Sequence, residues 1–222
     1  MNVIAVNGSP RKRGNTAVLL ECALEGAAAA APSGRSAASK LVHLYDLRYS
    51  GCRSCFACKR LGGPSYGQCA IKDDLASLLE EIAHADALIL GSPIYFGDIS
   101  GQMRCFLERL CFPWMVYDGN HSSIAPRRME TAVLYTMNVT EAQMEEWGYG
   151  KMMETLESFL GHLFTPPRRL CVTDTYQFSD YSKYKCDCFD EAAKRRRRDE
   201  HFPLDCEAAR RLGASLTAGS AS

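Results

Sequence analysis

Short apolar runs alternate along this chain with stretches in which apolar residues recur every three or four positions. Residues 3–6, 41–44, 87–90, 131–135 and 170–172 are short apolar, β-prone runs, which predicts five buried strands. Between them lie Leu75, Leu78, Leu79 and Ile82, then Met103, Phe106, Leu107 and Leu110, then Leu156, Phe159, Leu160 and Leu163. Each set forms one apolar stripe on a helix. Residues 17–30 predict a further helix from their alanine content, with Leu20 and Leu24 four apart. Five strands alternating with four helices predict an α/β fold, a doubly wound five-stranded parallel sheet with helices on both faces. Right-handed crossovers leave few strand orders, 2-1-3-4-5 among them. Three segments break the alternation. Residues 50–70 form a loop rich in Cys and Gly after strand 2, residues 112–128 form a second loop, and the chain from Asp174 is polar and aromatic. A last helix is expected after Pro203 with Asp205 as N-cap, and residues 217–222 are expected to fray. The expected division is one domain over residues 1–175, with 176–222 as an extension packed on it.

A chain of 222 residues buries roughly 70% of the surface that its unfolded form exposes, so it needs neither disulfide nor metal to fold. The apolar content of 46% excludes disorder for the bulk of the chain. Lys+Arg and Asp+Glu are equal at 26 each, so charge gives no push toward nucleic acid. The run 194–198 is flanked by Asp190, Glu191, Asp199 and Glu200 and reads as a solvated helix face. The most apolar window, 17–31, is interrupted by Glu21 and Glu25 and is no membrane span. The N-terminus places a strand before its basic residues, the reverse of a signal peptide. A cytoplasmic location is therefore expected, and there eleven cysteines point to metal, cluster or thiol chemistry rather than disulfides. Cys22, Cys105, Cys111 and Cys171 fall on helix or strand positions and read as small core residues.

The turn after strand 1 reads Asn7-Gly8-Ser9-Pro10-Arg11-Lys12-Arg13-Gly14-Asn15-Thr16. A strand-to-helix turn of this kind binds anions through unpaired N–H groups at the positive helix end. Ser9, Asn15 and Thr16 add short donors, and the basic residues add charge. Five residues separate Gly8 from Gly14, so the Walker A spacing fails, and G-x-G-x-x-G is absent. With no Cys nucleophile in the turn, the loop suits holding a ligand's phosphate. Strand 3 leads into Gly91-Ser92-Pro93-Ile94-Tyr95-Phe96-Gly97-Asp98. Loops after strands 1 and 3 flank the crevice where strand order reverses in such a sheet. An extended segment there, with free amides and aromatic rings, suits a flat heterocycle attached to a phosphate.

S-P-R-x-x-G-N-T after strand 1, with S-P-I-Y-x-G after strand 3, resembles the NADPH-dependent FMN reductase group, and more narrowly the iron–sulfur flavoproteins. The resemblance runs from Met1 to about Leu110 and more weakly to Pro203. It implies a flavodoxin-like fold in which Ser9, Arg11, Asn15 and Thr16 hold the FMN phosphate. Pro93, Ile94, Tyr95, Phe96 and Gly97 would line the isoalloxazine, and Thr136, Met137 and Asn138 would close its other edge. It further implies an oxidoreductase moving electrons from NAD(P)H to a small-molecule or protein acceptor, with chemistry at flavin N5 and no catalytic side chain. A homo-oligomer, dimer or tetramer, is expected.

Cys52, Cys55, Cys58 and Cys69 form C-x2-C-x2-C-x10-C. The first three, on one turn, are a strong chelating signal. A [4Fe–4S] cluster with Cys69 as fourth ligand, a zinc site, and plain thiols are all compatible with this run. The iron–sulfur flavoproteins carry a compact cysteine run in the same place, although the last gap here is longer than theirs. Without a cluster the chain would read as an NAD(P)H:quinone, azo or nitro reductase. A flavodoxin-type electron carrier is the further alternative, which the zero net charge disfavours.

Overall fold

The computed structural model describes residues 1–32 and 38–218. β1 (Asn2–Asn7) lies between β2 (Ala38–His43) and β3 (Ala87–Tyr95), and β5 (Glu130–Thr136) and β6 (Arg168–Val172) continue the sheet. All four pairings are parallel, in the order β2-β1-β3-β5-β6, which is the expected 2-1-3-4-5 order. β4 (Asp98–Ile99) adds a short antiparallel partner to β3.

Alternation along the strands feeds two cores. Ile4, Val6, Leu88, Leu90 and Val133 pack on one side with Leu78 and Ile82 of α2 (Leu75–Ala83), Phe106 of α3 (Gly101–Cys111) and Leu160 of α5 (Tyr149–Leu163). Val3, Ala5, Ile89, Ala132 and Leu134 pack on the other with α1 (Asn15–Ala29) and α7 (Phe202–Thr217). Burial on both faces explains why the strands read as continuous apolar runs. Among the described residues no helix is long and apolar enough to cross a membrane.

Two short or polar helices escaped the periodicity, α4 (Glu141–Glu146) and α6 (Glu191–Glu200). Neither has an apolar stripe to reveal it. α4 starts on a capping box at Thr140 and Gln143, and α6 on an Asp190 side chain accepting from the Ala193 N–H. The final helix begins at Phe202, so Asp205 is not its cap. Pro203 needs no N–H partner in a first turn, which lets the helix start before it, and Asp205 pairs with Arg197 instead. Thr217 does not fray: its buried hydroxyl donates to the Ala27 carbonyl, while residues 219–222 lie outside the described residues.

α1 and α7 approach at two glycines. A Cβ on Gly26 would stand 1.9 Å from the Arg210 carbonyl oxygen, and one on Gly213 1.8 Å from that of Ala23. Both obstacles are backbone, so relief requires moving a helix. Gly213→Ala gains about 1 kcal/mol of helix propensity, yet overpacking of this kind costs about 1–3 kcal/mol or more. Gly213→Ala should therefore lower the urea midpoint, whereas Gly150→Ala in α5, with nothing within 4 Å, should leave it unchanged or raise it.

Candidate functional site

Three loops meet at the C-terminal ends of β1, β3 and β5. The Gly8 N–H donates to the Gly91 carbonyl at 2.8 Å. The Ser100 hydroxyl caps α3, accepting from the Met103 N–H, and donates to the Gly8 carbonyl at 2.6 Å. The buried hydroxyls of Thr16 and Thr136 lie 2.7 Å apart, tying the start of α1 to the end of β5. Pro93 pairs with Thr136 across the β3–β5 ladder. Ser9 is buried, its N–H donating to Asn7 Oδ1 and its hydroxyl accepting from the Arg11 N–H. Gly14, at the N-cap of α1, has no side chain to offer, so the first-turn N–H groups have no side-chain cap. That is the arrangement in which a helix N-terminus takes a phosphate.

The segment 93–97 is not the open extended stretch expected. Ile94 and Tyr95 pair with Ile99 and Asp98, and Phe96 and Gly97 make the two-residue turn with φ of +52° and +78°. Two left-handed residues are what such a hairpin turn requires, because they match the right-handed twist of its strands. The turn leaves Phe96 fully exposed and Tyr95 half-exposed at the rim. Met137 turns into the core at 3% exposure, and its carbonyl accepts from Thr175.

Asn138 supplies the clearest sign of a binding site. Its Nδ2 donates to Gln177 Oε1 at 2.9 Å, but its buried Oδ1 has no hydrogen-bond partner. A buried acceptor without a donor costs about 1–3 kcal/mol. A flavin ring N–H or a ribityl hydroxyl is a donor of the right kind, so the residues here fit FMN.

Sequence reasoning missed the strap that crosses this site. After β6 the Asp174 N–H donates to the Val139 carbonyl and Thr175 to Met137. Tyr176 O then accepts from Asn15 Nδ2 at 3.1 Å and Gln177 O from Arg11 Nη1 at 2.6 Å. The run 194–198 is a solvated face only at Arg195 and Arg196. Lys194 is buried on Asp174 and the Asn138 carbonyl, Arg197 pairs with Asp205, and Arg198 donates to Asn15 Oδ1 at 2.7 Å. Lys12 pairs with Asp46 at 2.7 Å.

The second cluster lies on α3. Cys52, Cys55, Cys58 and Cys69 line one pocket with Glu108 and Arg109. Ser54 and Phe56, the residues flanking Cys55, have φ of +50° and +56°. Each non-glycine left-handed residue costs about 1–3 kcal/mol, and such strain gathers at functional sites. The ten-residue spacer folds back, the Gly67 N–H donating to the Cys58 carbonyl at 3.0 Å, which returns Cys69 to the pocket.

Three residues clamp this loop to α3 and to the turn that follows it. Glu108 accepts from the Cys52 N–H at 3.0 Å. Lys59 Nζ donates to the carbonyls of Phe112, Pro113 and Met115. Arg109, its side chain wholly buried, donates to Cys69 Sγ at 2.9 Å, to the Ser50 and Ile71 carbonyls, and to both Asp73 oxygens. Burial works against the Asp73 charge, but the Arg109 hydrogen bonds outweigh it and hold its carboxyl below the usual range. Burial pushes the Cys58 thiol up, and the neighbouring Lys59 ammonium partly opposes this.

Among the described residues no three His, Cys, Asp or Glu side chains are grouped closely enough to hold one metal ion. A [4Fe–4S] cluster makes a different demand. Each thiolate binds its own iron, so the sulfurs surround a pocket instead of meeting at one point. Four thiols on one pocket, with an N–H donor on one sulfur and an ammonium beside another, are a donor set that fits a cluster.

The fold and the crevice define a doubly wound α/β protein of the flavodoxin type, with an uncapped helix N-terminus after its first strand. Residues 1–125 match the family model for NADPH-dependent FMN reductases, and the chain belongs to that family. It is 37% identical over 109 residues to an iron-sulfur flavoprotein of Archaeoglobus fulgidus, a match covering 49% of this chain and 48% of that one. A second iron-sulfur flavoprotein, from Methanocaldococcus jannaschii, is 38% identical over 109 residues, covering 49% and 51%. The chain thus spans about half the length of the curated relatives it matches. Its fold is similar to that of an NAD(P)H:quinone oxidoreductase from Methanothermobacter marburgensis, with a TM-score of 0.68 at 17% identity over 97% of this chain and 96% of that one.

Arg109→Met strands the Asp73 carboxylate, and breaking a buried pair in this way costs about 3–5 kcal/mol. Urea unfolding should show that loss, and Arg109→Met with Asp73→Leu should recover part of it. Because the Asp73 carboxyl is held low, its contribution is present at neutral pH. It should disappear as the pH falls through that depressed value, and Asp73→Leu should flatten the acid limb of the stability profile.

Proposed function

We propose that this chain is an FMN-dependent oxidoreductase that takes electrons from NAD(P)H and delivers them to an acceptor, with a [4Fe–4S] cluster on Cys52, Cys55, Cys58 and Cys69. The observation that carries the flavin reading is the buried, unpartnered Asn138 Oδ1 at the mouth of a crevice that also holds an uncapped helix N-terminus. FMN bound there would supply the electron-transfer chemistry at its ring. Ser9, Arg11, Asn15 and the first-turn amides of α1 would hold its phosphate, and Asn138 would accept from its polar edge. Thr16 and Thr136, bonded to each other, set the spacing between those two sides. The exposed Tyr95–Phe96 turn leaves an aromatic rim for a nicotinamide or a second subunit, which supports a homo-oligomer. The location is proposed to be cytoplasmic, where the thiols stay reduced.

The cluster reading rests on the shared pocket. α3 links the two sites: Ser100 at its start holds the phosphate loop, and Glu108 and Arg109 hold the cysteine loop. Eight residues of helix separate them by about 12 Å, a compact path between flavin and cluster. Residues 1–175 would form the FMN domain and 176–222 the extension that closes its phosphate side.

The test is the visible spectrum, iron and sulfide content of protein purified without oxygen. A two-banded yellow spectrum overlaid by broad brown absorption, bleached by NAD(P)H, is expected. About four irons per chain should be present and lost in Cys55→Ala, with FMN retained. FAD in place of FMN would sink the cofactor assignment. One zinc and no iron would make the loop structural, and neither metal would leave a cluster-free flavin reductase.

A further inference from the structure

The basic residues of α6 divide by what they touch. Lys194, Arg195 and Arg197 pair with Asp174, Glu191 and Asp205. Arg198 does not. Its guanidinium is half-buried, stacks on the Phe202 ring at 3.8 Å and donates to Asn15 Oδ1 at 2.7 Å. Among the described residues no carboxylate lies within ion-pair distance of Arg198 or of Arg11, whose guanidinium reaches the Gln177 carbonyl beside the same loop. Two uncompensated guanidiniums thus flank Asn15, the first residue of α1. Arg198 is partly desolvated without a counter-ion, which is costly, and both it and the exposed Arg11 stand at a helix end that already favours negative charge.

We propose that Arg198 is a phosphate ligand, so that this chain closes its FMN phosphate site from the C-terminal extension. Residue 198 lies beyond the matched family region, which ends at residue 125. Arg198 acts in two ways. It occupies Asn15 Oδ1, which commits the Asn15 side chain to donating through Nδ2. It also brings a planar fork of N–H donors suited to a phosphate monoester dianion. Phe202 holds the guanidinium plane in place. The proposal rests on the FMN reading and adds the residue that selects the phosphorylated flavin over the free one.

Riboflavin separates the two, because it carries the same ring without the phosphate. The full-length chain, stripped of cofactor, is titrated with FMN and with riboflavin by fluorescence quenching, as wild type, Arg198→Met and Arg198→Lys. Arg198→Met keeps the stem on Phe202 and removes the charge. FMN affinity should fall roughly 10- to 100-fold, the loss of a charge-assisted hydrogen bond, while riboflavin affinity stays within about twofold. The salt dependence of FMN binding should flatten, and Arg198→Lys should fall between the two. An equal loss for both ligands would reduce Arg198 to a strut for the strap, and unchanged FMN affinity would reject its contact with the phosphate. A variant that loses only its preference for NADPH over NADH would assign Arg198 to the nicotinamide cofactor's phosphate and overturn the proposal. Should Arg198→Met melt early, Arg198→Gln supplies the charge-free comparison. A wild type that binds neither flavin would defeat the FMN reading itself.

Discussion

The Arg109 guanidinium is the fixed point of the candidate redox machinery. All its donor groups are engaged, on Ser50, Cys69, Ile71 and Asp73. Ser50 precedes the cysteine run and Ile71 and Asp73 follow it, so one side chain closes both ends of the excursion. A buried ion pair gives little net stability, because desolvation consumes most of the Coulombic gain. What it provides here is geometry. The planar fork accepts few arrangements of its partners, and an irregular loop of this length would otherwise have many.

The same helix carries that order to the other site. α3 is short, rigid and packed through Met103, Phe106, Leu107 and Leu110 against the sheet. Its N-cap Ser100 holds the loop after β1 and its last turn holds the cysteine loop. Lys59 adds an ammonium at the carbonyls of Phe112 and Met115 just past the C-terminus of α3, where the helix dipole favours a cation. A change at either end of α3 therefore acts on both loops through a single rigid element.

The C-terminal extension does for the loop after β1 what Arg109 does for the cysteine loop. Asp174 to Gln177 run along the loop after β5 and reach across to Arg11 and Asn15. Buried Lys194 pins the strap through Asp174 and the Asn138 carbonyl. Tyr176, Phe178, Tyr181 and Tyr184 pack on one another, Phe178 stacked on Tyr184 at 4.1 Å. This aromatic knot lets a polar segment hold a fixed path without regular structure.

The strand order, the apolar faces of α2, α3 and α5, the strand-to-helix turn after β1 and the gathering of the four cysteines were all legible in the sequence. Each depends on local periodicity or on residues close together along the chain, and such patterns survive without knowledge of the fold. The hairpin at Tyr95–Gly97, the pairing of Lys12 and the start of α7 before Pro203 were decided by neighbours on other elements. Arg109 gave one faint signal, a charge three residues after Phe106 on an apolar stripe, but its partners lie about 36 to 59 positions away. The basic run 194–198 looked solvated because acids flank it in sequence. Only tertiary structure could show that Lys194 turns inward to Asp174 and Arg198 to Asn15, 183 positions distant. Charge in a sequence reports composition, whereas the burial and partner of that charge belong to the folded chain.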